Sequence, residues 1–310
     1  MADYAEIIGR ADLVDELIPD QVVNDVIKTT PEESVVLTRA RKPRMSSKKA
    51  RQPVLATLPE AYWVDGDTGL KETTDATWKN LSMTAEELAV IVPIPDALVD
   101  DSNVPLWDEV KPLLREAIGK KVDQAALFGT SKPASWPEGI VPAAIAAGNV
   151  QQISPTLNLA DAFAEVAAKA SEGGFSVNGF VTQPGLNWRL RGIKDANGNY
   201  VFGSPTAGGN STLFGYTLDE VRNGAWNRAA ATGLAIDWSK FVVGIRQDVT
   251  FDLFREGVIS DASGKVLLNL MQQDSKALRV VFRVGFQAAI PVTRLGGVYP
   301  AGVITPAAGA

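Results

Sequence analysis

The 310-residue sequence contains no cysteine and no histidine. Without imidazole or thiolate there is no Ser-His-Asp or Cys-His nucleophilic centre, no haem attachment, no iron–sulfur cluster and no usual zinc site. Disulfides are excluded as well, so the fold takes nothing from an oxidising compartment. Met1 leads into Ala2-Asp3-Tyr4-Ala5-Glu6, which has neither the basic n-region nor the apolar h-region of an export signal. Long hydrophobic runs are scarce. Apolar stretches such as 140–147 fall far short of the roughly 20 residues that span a bilayer.

What is present is ordinary for a folded chain, 45% hydrophobic and 21% charged, and long enough for one large or two modest cores. The net charge of −6 argues against a general nucleic-acid binder and conceals an asymmetry. Residues 1–33 carry nine acids (Asp3, Glu6, Asp12, Asp15, Glu16, Asp20, Asp25, Glu32, Glu33) against Arg10 and Lys28, a balance of −7. Residues 39–51 then carry Arg39, Arg41, Lys42, Arg44, Lys48, Lys49 and Arg51 with no acid, a balance of +7. Two solvated segments are the bland reading of such runs. A nucleic-acid contact is disfavoured because no aromatic residue is interleaved with the basic ones. The third reading is an arm that crosses onto an oppositely charged neighbouring subunit.

Along the chain, Leu13, Leu17, Ile18, Val22, Val23, Val26 and Ile27 have helical spacing broken by Pro19, which reads as short helical pieces on an arm ending at Pro31. Runs at 53–64 and 77–93 read as extended, and the turn-rich segment 65–75 between them offers almost nothing to bury. Together they predict a long polar-tipped hairpin, whose strands are marginal in water and whose edges solicit partners. Asp100 to Asn103 supply cap residues, and apolar residues from Trp107 to Phe128 recur at helical intervals up to the Gly129 stop. Pro112 predicts either a kink in that helix or a start near it. Residues 130–152 read as loop with one short apolar strand. Asn158 caps a second helix, with Leu159, Ala162, Phe163, Val166, Ala167 and Ala170 as its stripe and Gly173-Gly174 as its end. A strand at 179–182, a short helix opened by Pro184, a tight turn at 195–199 and a flexible loop at 203–211 follow. Strands at 241–245, 249–254, 277–284 and 286–292 complete the pattern.

Catalytic and metal motifs fail on inspection. Asp67-Thr68-Gly69 has the aspartic-protease string, but that chemistry needs two buried copies and there is one, on a polar tip. Asp65, Asp67 and Gly69 hint at a calcium loop, yet its sixth position is Leu70 and its twelfth Ala76. Ser46 and Lys49 have Ser-x-x-Lys spacing inside a basic run, not at a buried helix start. No catalytic, cofactor or metal residue is assigned.

The order of these parts resembles the major capsid proteins of tailed bacteriophages, which have the HK97-type fold. Several strings carry the likeness. Ile94-Pro95-Asp96-Ala97-Leu98-Val99-Asp100-Asp101-Ser102 is similar to the family's passage from hairpin to spine helix. Ala125-Ala126-Leu127-Phe128-Gly129, followed by Pro137-Glu138-Gly139-Ile140, is similar to its spine-helix exit. Leu190-Arg191-Gly192-Ile193-Lys194-Asp195-Ala196-Asn197-Gly198-Asn199-Tyr200 resembles its helix-to-turn passage. Gln273 to Val280, leading to Arg283-Val284-Gly285-Phe286, resembles its closing strands.

The resemblance implies an α+β fold with an N-terminal arm (1–31), a basic extended segment of the peripheral domain (32–52) and an extended hairpin loop (53–93). It further implies a spine-helix region (94–130), an axial domain (131–232), peripheral strands (233–289), and an axial strand with the tail (290–310). The implied function is structural and not enzymatic, with no cofactor. Pentamers and hexamers would build an icosahedral head around double-stranded DNA, within a virion assembled in the host cytoplasm. Implied partners are further copies of the chain, a portal, and decoration proteins. Many members begin with a long cleaved scaffolding region, and this chain begins close to the arm, so a separate scaffolding protein or none is implied. Intersubunit candidates are Tyr62, Trp63, Asp65, Asp67, Lys71 and Trp78 on the loop, and Arg39, Arg41, Arg44 and Arg51 on the basic segment. Some members join a loop lysine to an asparagine beside a glutamate. Lys71, Asn269 and Glu256 occupy the corresponding regions, the last two by region only. The alternatives are an encapsulin-like nanocompartment shell, with the same fold, and a stand-alone hydrolase or binding module.

Overall fold

The computed structural model describes residues 32–66, 68–102, 105–154, 158–194, 197–200 and 212–307. The arm helices read at 11–28 and the loop at 203–211 lie outside the described residues.

Helix α1 (Val35–Arg39) precedes an extended run to strand β1 (Lys49–Thr57), which pairs antiparallel with β2 (Thr77–Thr84) as a two-stranded ribbon. β3 (Glu86–Pro95) leaves that ribbon at once. It pairs with β12 (Ser275–Ala288), which pairs in turn with β9 (Phe241–Phe254), forming a three-stranded antiparallel sheet. The hairpin is therefore 49–84, and the extended run read at 77–93 is two strands bent at the buried Ala85. The physical reason lies in the alternation of β3. Leu88, Val90 and Val92 pack on the main core with the long helix, so this strand has a layer to cover it and the ribbon does not.

Helix α2 (Asp96–Asp101) and helix α3 (Leu106–Phe128) follow. Asp100 and Asp101 end α2 and do not cap α3, whose N-cap is Pro105. Pro112 sits inside α3 without ending it. Gly129 closes the helix at φ 70°, a left-handed conformation that costs a glycine little. Leu114, Ile118, Val122, Ala125 and Ala126 of α3 join Leu278, Val280, Phe282 and Val284 of β12 in one buried cluster. The Leu, Ile, Val and Phe side chains among these, when fully buried, contribute about 1.5–3 kcal/mol each.

The apolar run read as a strand is helix α4 (Ile140–Ala146). Its residues are apolar all round, and Ile140, Val141 and Ala144 are buried. A second sheet has the order β4 (Val150–Gln152), β13 (Ala301–Thr305), β8 (Gly233–Ile236), β5 (Gly179–Thr182), β7 (Tyr216–Glu220) and β6 (Thr212–Leu213). Helix α5 (Leu159–Glu172) packs Ala162, Phe163, Val166 and Ala170 against it, and its Asn158 cap accepts a hydrogen bond from Ala160 N–H. α6 (Leu186–Arg191) follows β5. β8 belongs to this second sheet, and the chain crosses between sheets at the turn Trp238–Lys240. The four C-terminal runs merge into two strands, β9 and β12, with register shifts around Arg283. The aromatics Trp238, Phe241, Phe286 and Tyr299 pack edge-on or stacked, with Trp136 tilted against Phe286, where the chain passes from one sheet to the other.

A small ribbon of β10 (Val258–Ser260) and β11 (Val266–Asn269) projects between β9 and β12.

Two polar contacts fasten α1 to this body. Asp123 of α3 is fully buried, and its carboxylate accepts from Ser34 Oγ (2.6 Å), Val36 N–H (3.1 Å), Val35 N–H (3.3 Å) and Asn223 Nδ2 (2.7 Å). Ser34 is also the N-cap of α1, its hydroxyl accepting from Leu37 N–H. Gly119 lets the segments approach, since a Cβ there would lie 3.2 Å from Ser34 Cβ. One turn on, Arg39 grips Asp219 of β7 through Nε and Nη2, both at 2.7 Å. The residues that lead into the hairpin are thus tied to the long helix and to the second sheet at once.

Burial pushes the Asp123 carboxyl above its ordinary value, against the pull of Ser34, Asn223 and the Val36 and Val35 N–H groups. A raised carboxyl favours the protonated form in the folded chain. Its contribution is complete below the unfolded value of about 4 and declines as pH climbs from there through the raised folded value. Asp123→Ala should lower the unfolding free energy by roughly 3 kcal/mol, because several buried donors lose their acceptor. Denaturant titrations of both chains should show that loss shrinking from acidic to neutral pH; a loss that grows would mean the four donors outweigh desolvation. For the half-exposed Arg39–Asp219 pair, a double-mutant cycle with alanine should give a coupling of about 1 kcal/mol, and Arg39→Lys should not retain it. Zero coupling would remove this pair from the account.

Candidate intersubunit surfaces

The ribbon of β1 and β2 is covered only at its root. There Met45, Val54, Met83, Ala85, Val242 and Ala289 form a small separate core. Val292 N–H donates to the Leu55 carbonyl (3.1 Å) and Arg294 to the Pro59 carbonyl (2.7 Å), so the segment after β12 braces one edge. Beyond that, residues 59–80 are exposed apart from Gly69, and Asp67 lies outside the described residues. Trp63 is 103% exposed, Trp78 68% and Tyr62 51%. Indole and phenol rings left in water are costly in a monomer and are the side chains that anchor interfaces when covered. Asp65 and Lys71 share this tip. Leu70, 88% exposed, belongs with them and was not singled out from sequence, because it stands alone among polar neighbours.

The basic segment is not a loose solvated run. Arg41 N–H donates to the Phe241 carbonyl and Met45 N–H to that of Ile245, while the Arg41 and Pro43 carbonyls accept from Val243 and Ile245. The segment therefore lies as a short parallel extension along the start of β9, with bridges at Arg41 and Arg44. That pairing fixes the backbone and leaves Arg41, Arg44 and Arg51 exposed at the hairpin root. Arg39 differs from its neighbours. Expected at an intersubunit contact, it is engaged within its own chain by Asp219, a partner 180 positions away that no local pattern announces.

Asn269 and Glu256 flank one end of the small ribbon, where Val258 pairs with Asn269. The Asn269 amide donates to Gln272 Oε1 (2.9 Å). Lys71 is on the tip of the other hairpin. The small ribbon also exposes Val258, Val266, Leu267 and Met271, an apolar group missed in the sequence. Its signal was the turn cluster Asp261-Ala262-Ser263-Gly264 between two short apolar runs.

Comparison with known proteins bears on this arrangement of a pinned root and an uncovered tip. The model of the phage capsid family matches residues 15–291. The major capsid protein of Staphylococcus phage 80alpha is 22% identical over 281 residues, covering 89% of this chain and 82% of that protein. A solved chain from Microbacterium phage Oxtober96 is 36% identical with a TM-score of 0.85, covering 97% of this chain and 100% of the other. One from Mycobacterium phage Cain is 33% identical with a TM-score of 0.85, covering 98% and 100%. These relatives come from phages and do not point to an encapsulin. A match over most of the length, in sequence and in fold, accounts for a subunit with so much surface left uncovered: the chain belongs to the phage capsid family, has the HK97-type α+β fold, and is a structural protein of a phage capsid shell.

Proposed function

We propose that copies of this chain associate as pentamers and hexamers into an icosahedral head around double-stranded DNA, with the hairpin 49–84 of each copy lying on the next. The observation that carries this is the tip, where Trp63 is wholly exposed on the strandless stretch between β1 and β2, which has no layer to bury it. Hairpin and body then divide the work. The three-stranded sheet with α3 would form the peripheral domain, together with the basic segment. The six-stranded sheet with α4, α5 and α6 would form the axial domain at the five- and six-fold axes, taking in β8 and β13. The role is structural and not enzymatic. The proposed partners beyond further copies are a portal, a separate scaffolding protein and decoration proteins, with assembly in the host cytoplasm. Joining Lys71 to Asn269 beside Glu256 would link two copies by a bond from Lys71 Nζ to Asn269 Cγ, with the Asn269 Cγ–Nδ2 bond broken and ammonia released. Linked subunits that have lost one ammonia per bond in the mass spectrum of the shell would report it, and unlinked subunits of full mass would contradict it.

Size exclusion and negative-stain microscopy of the purified chain test the main reading. Shells or five- and six-fold capsomers are expected; a monomer that never assembles would contradict it. Trp63→Ser with Trp78→Ser should cut assembly by about tenfold or more, since covered aromatic anchors carry much of an interface's energy. The same pair should leave the unassembled chain's stability within about 0.5 kcal/mol, as exposed side chains usually do.

A further inference from the structure

The two ends of the hairpin carry opposite charge. The root presents Arg41, Lys42 and Arg44, on a backbone paired to β9, and Lys48, Lys49 and Arg51, where the chain enters β1 and pairs with β2, all exposed. The tip presents Glu60, Asp65, Glu72 and Asp75 against Lys71, with Lys79 farther down β2 towards the root, all exposed. No ion pair joins either group to another described residue. Of the acids nearest the root, Glu87 is engaged by Arg283 (2.7 Å) and Glu86 accepts from Ser135 (2.7 Å).

Within one copy the two groups are too far apart to neutralise each other. The nine residues of β1 span roughly 26 Å, whereas charges in physiological salt are screened beyond about 8 Å. We infer that the acidic tip of one copy seats on the basic root of the next, a head-to-tail contact between the two ends of the same element. This inference rests on the hairpin-over-neighbour reading above and names the surface that receives it. Such a contact is heterologous, so it closes into a ring when the rotation per copy divides the circle. Charge then sets direction and register, because a tip laid on another tip, or a root on another root, brings like charges together. The aromatics Tyr62, Trp63 and Trp78 and Leu70 supply the apolar cover that charge alone lacks. The acidic residues 12–25 are the competing occupant. They carry no tryptophan or tyrosine to account for the apolar surface of the tip.

The absence of native cysteine gives a clean test. Thr73→Cys on the tip with Ser46→Cys at the root changes no charge, and both positions are exposed. Under mild oxidation, assembled particles of this double variant should give a ladder of covalently linked copies on a non-reducing gel. Thr73→Cys with Ser263→Cys, on the turn of the small ribbon, should not. Reversing the tip (Glu60→Lys, Glu72→Lys, Asp75→Lys) or the root (Arg44→Glu, Lys48→Glu, Lys49→Glu) should each lower assembly by about tenfold or more, with both reversals together restoring it. Circular dichroism melts of the unassembled variants separate misfolding from lost contact, and the cysteine ladder stands independently of the reversals. Shells without a tip-to-root ladder would overturn the inference while leaving the capsid reading intact. So would rescue of the reversed root by reversing Asp12, Asp15, Asp20 and Asp25, which would make the arm the occupant. A reversed root that assembles normally but retains less nucleic acid would likewise overturn it. Failure of the unaltered chain to assemble would instead overturn the capsid reading.

Discussion

A ribbon of two strands has two faces and no interior, and this constraint governs the rest of the molecule. Residues 49–84 extend away from the body with a covered root and an uncovered tip, so the chain folded alone leaves tryptophans in water and strand edges unpaired. Water cannot repay that exposure, and a ribbon of this length cannot fold back to cover itself. What the isolated chain lacks is a second surface, and on the proposed reading a neighbouring copy in the shell supplies one.

An element that works at its far end must be held firmly at its near end. The body is arranged to do so. β2 leads through Ala85 directly into β3, which pairs along its length with β12 and packs Leu88, Val90 and Val92 on the main core, and β1 is fed by a segment paired to β9. Asp123 then joins three distant parts of the chain, with Ser34, Val35 and Val36 on one side and Asn223 on the other. Its burial has an energetic cost, visible in the raised carboxyl, that a surface aspartate would not carry. The return is a fixed exit direction for the hairpin relative to both sheets, reinforced by the Arg39 fork on Asp219.

Elements with local signals were legible in the sequence. α5 could be read because Asn158, its apolar stripe and Gly173 all lie within sixteen consecutive positions. The end of α3 could be read from Gly129, and the tip from its dense turn residues. The corner at Ala85 could not, since Met83-Thr84-Ala85-Glu86 contains no glycine or proline to punctuate two runs that both alternate. α4 was misread because a short run that is apolar on every side has no period to distinguish helix from strand. Asp123 looked like any helix acid: its partners lie 89 and 100 positions away, and only the fold brings them together. Arg39 sat in a charge run that resembled its neighbours and was separated from them by tertiary structure alone. The aromatic residues of the tip are legible in the sequence and are exposed in the folded chain, whereas a surface that would cover them cannot be read from one copy.

The claim on which this account turns is that the hairpin is completed by a neighbouring copy. Hydrogen–deuterium exchange of the amides in 49–84, compared between unassembled subunits and assembled particles, addresses it most directly. Amides at the root should exchange slowly in both states, and those from residue 58 to 78 should gain strong protection on assembly. Unchanged rapid exchange across the tip in intact particles would contradict it.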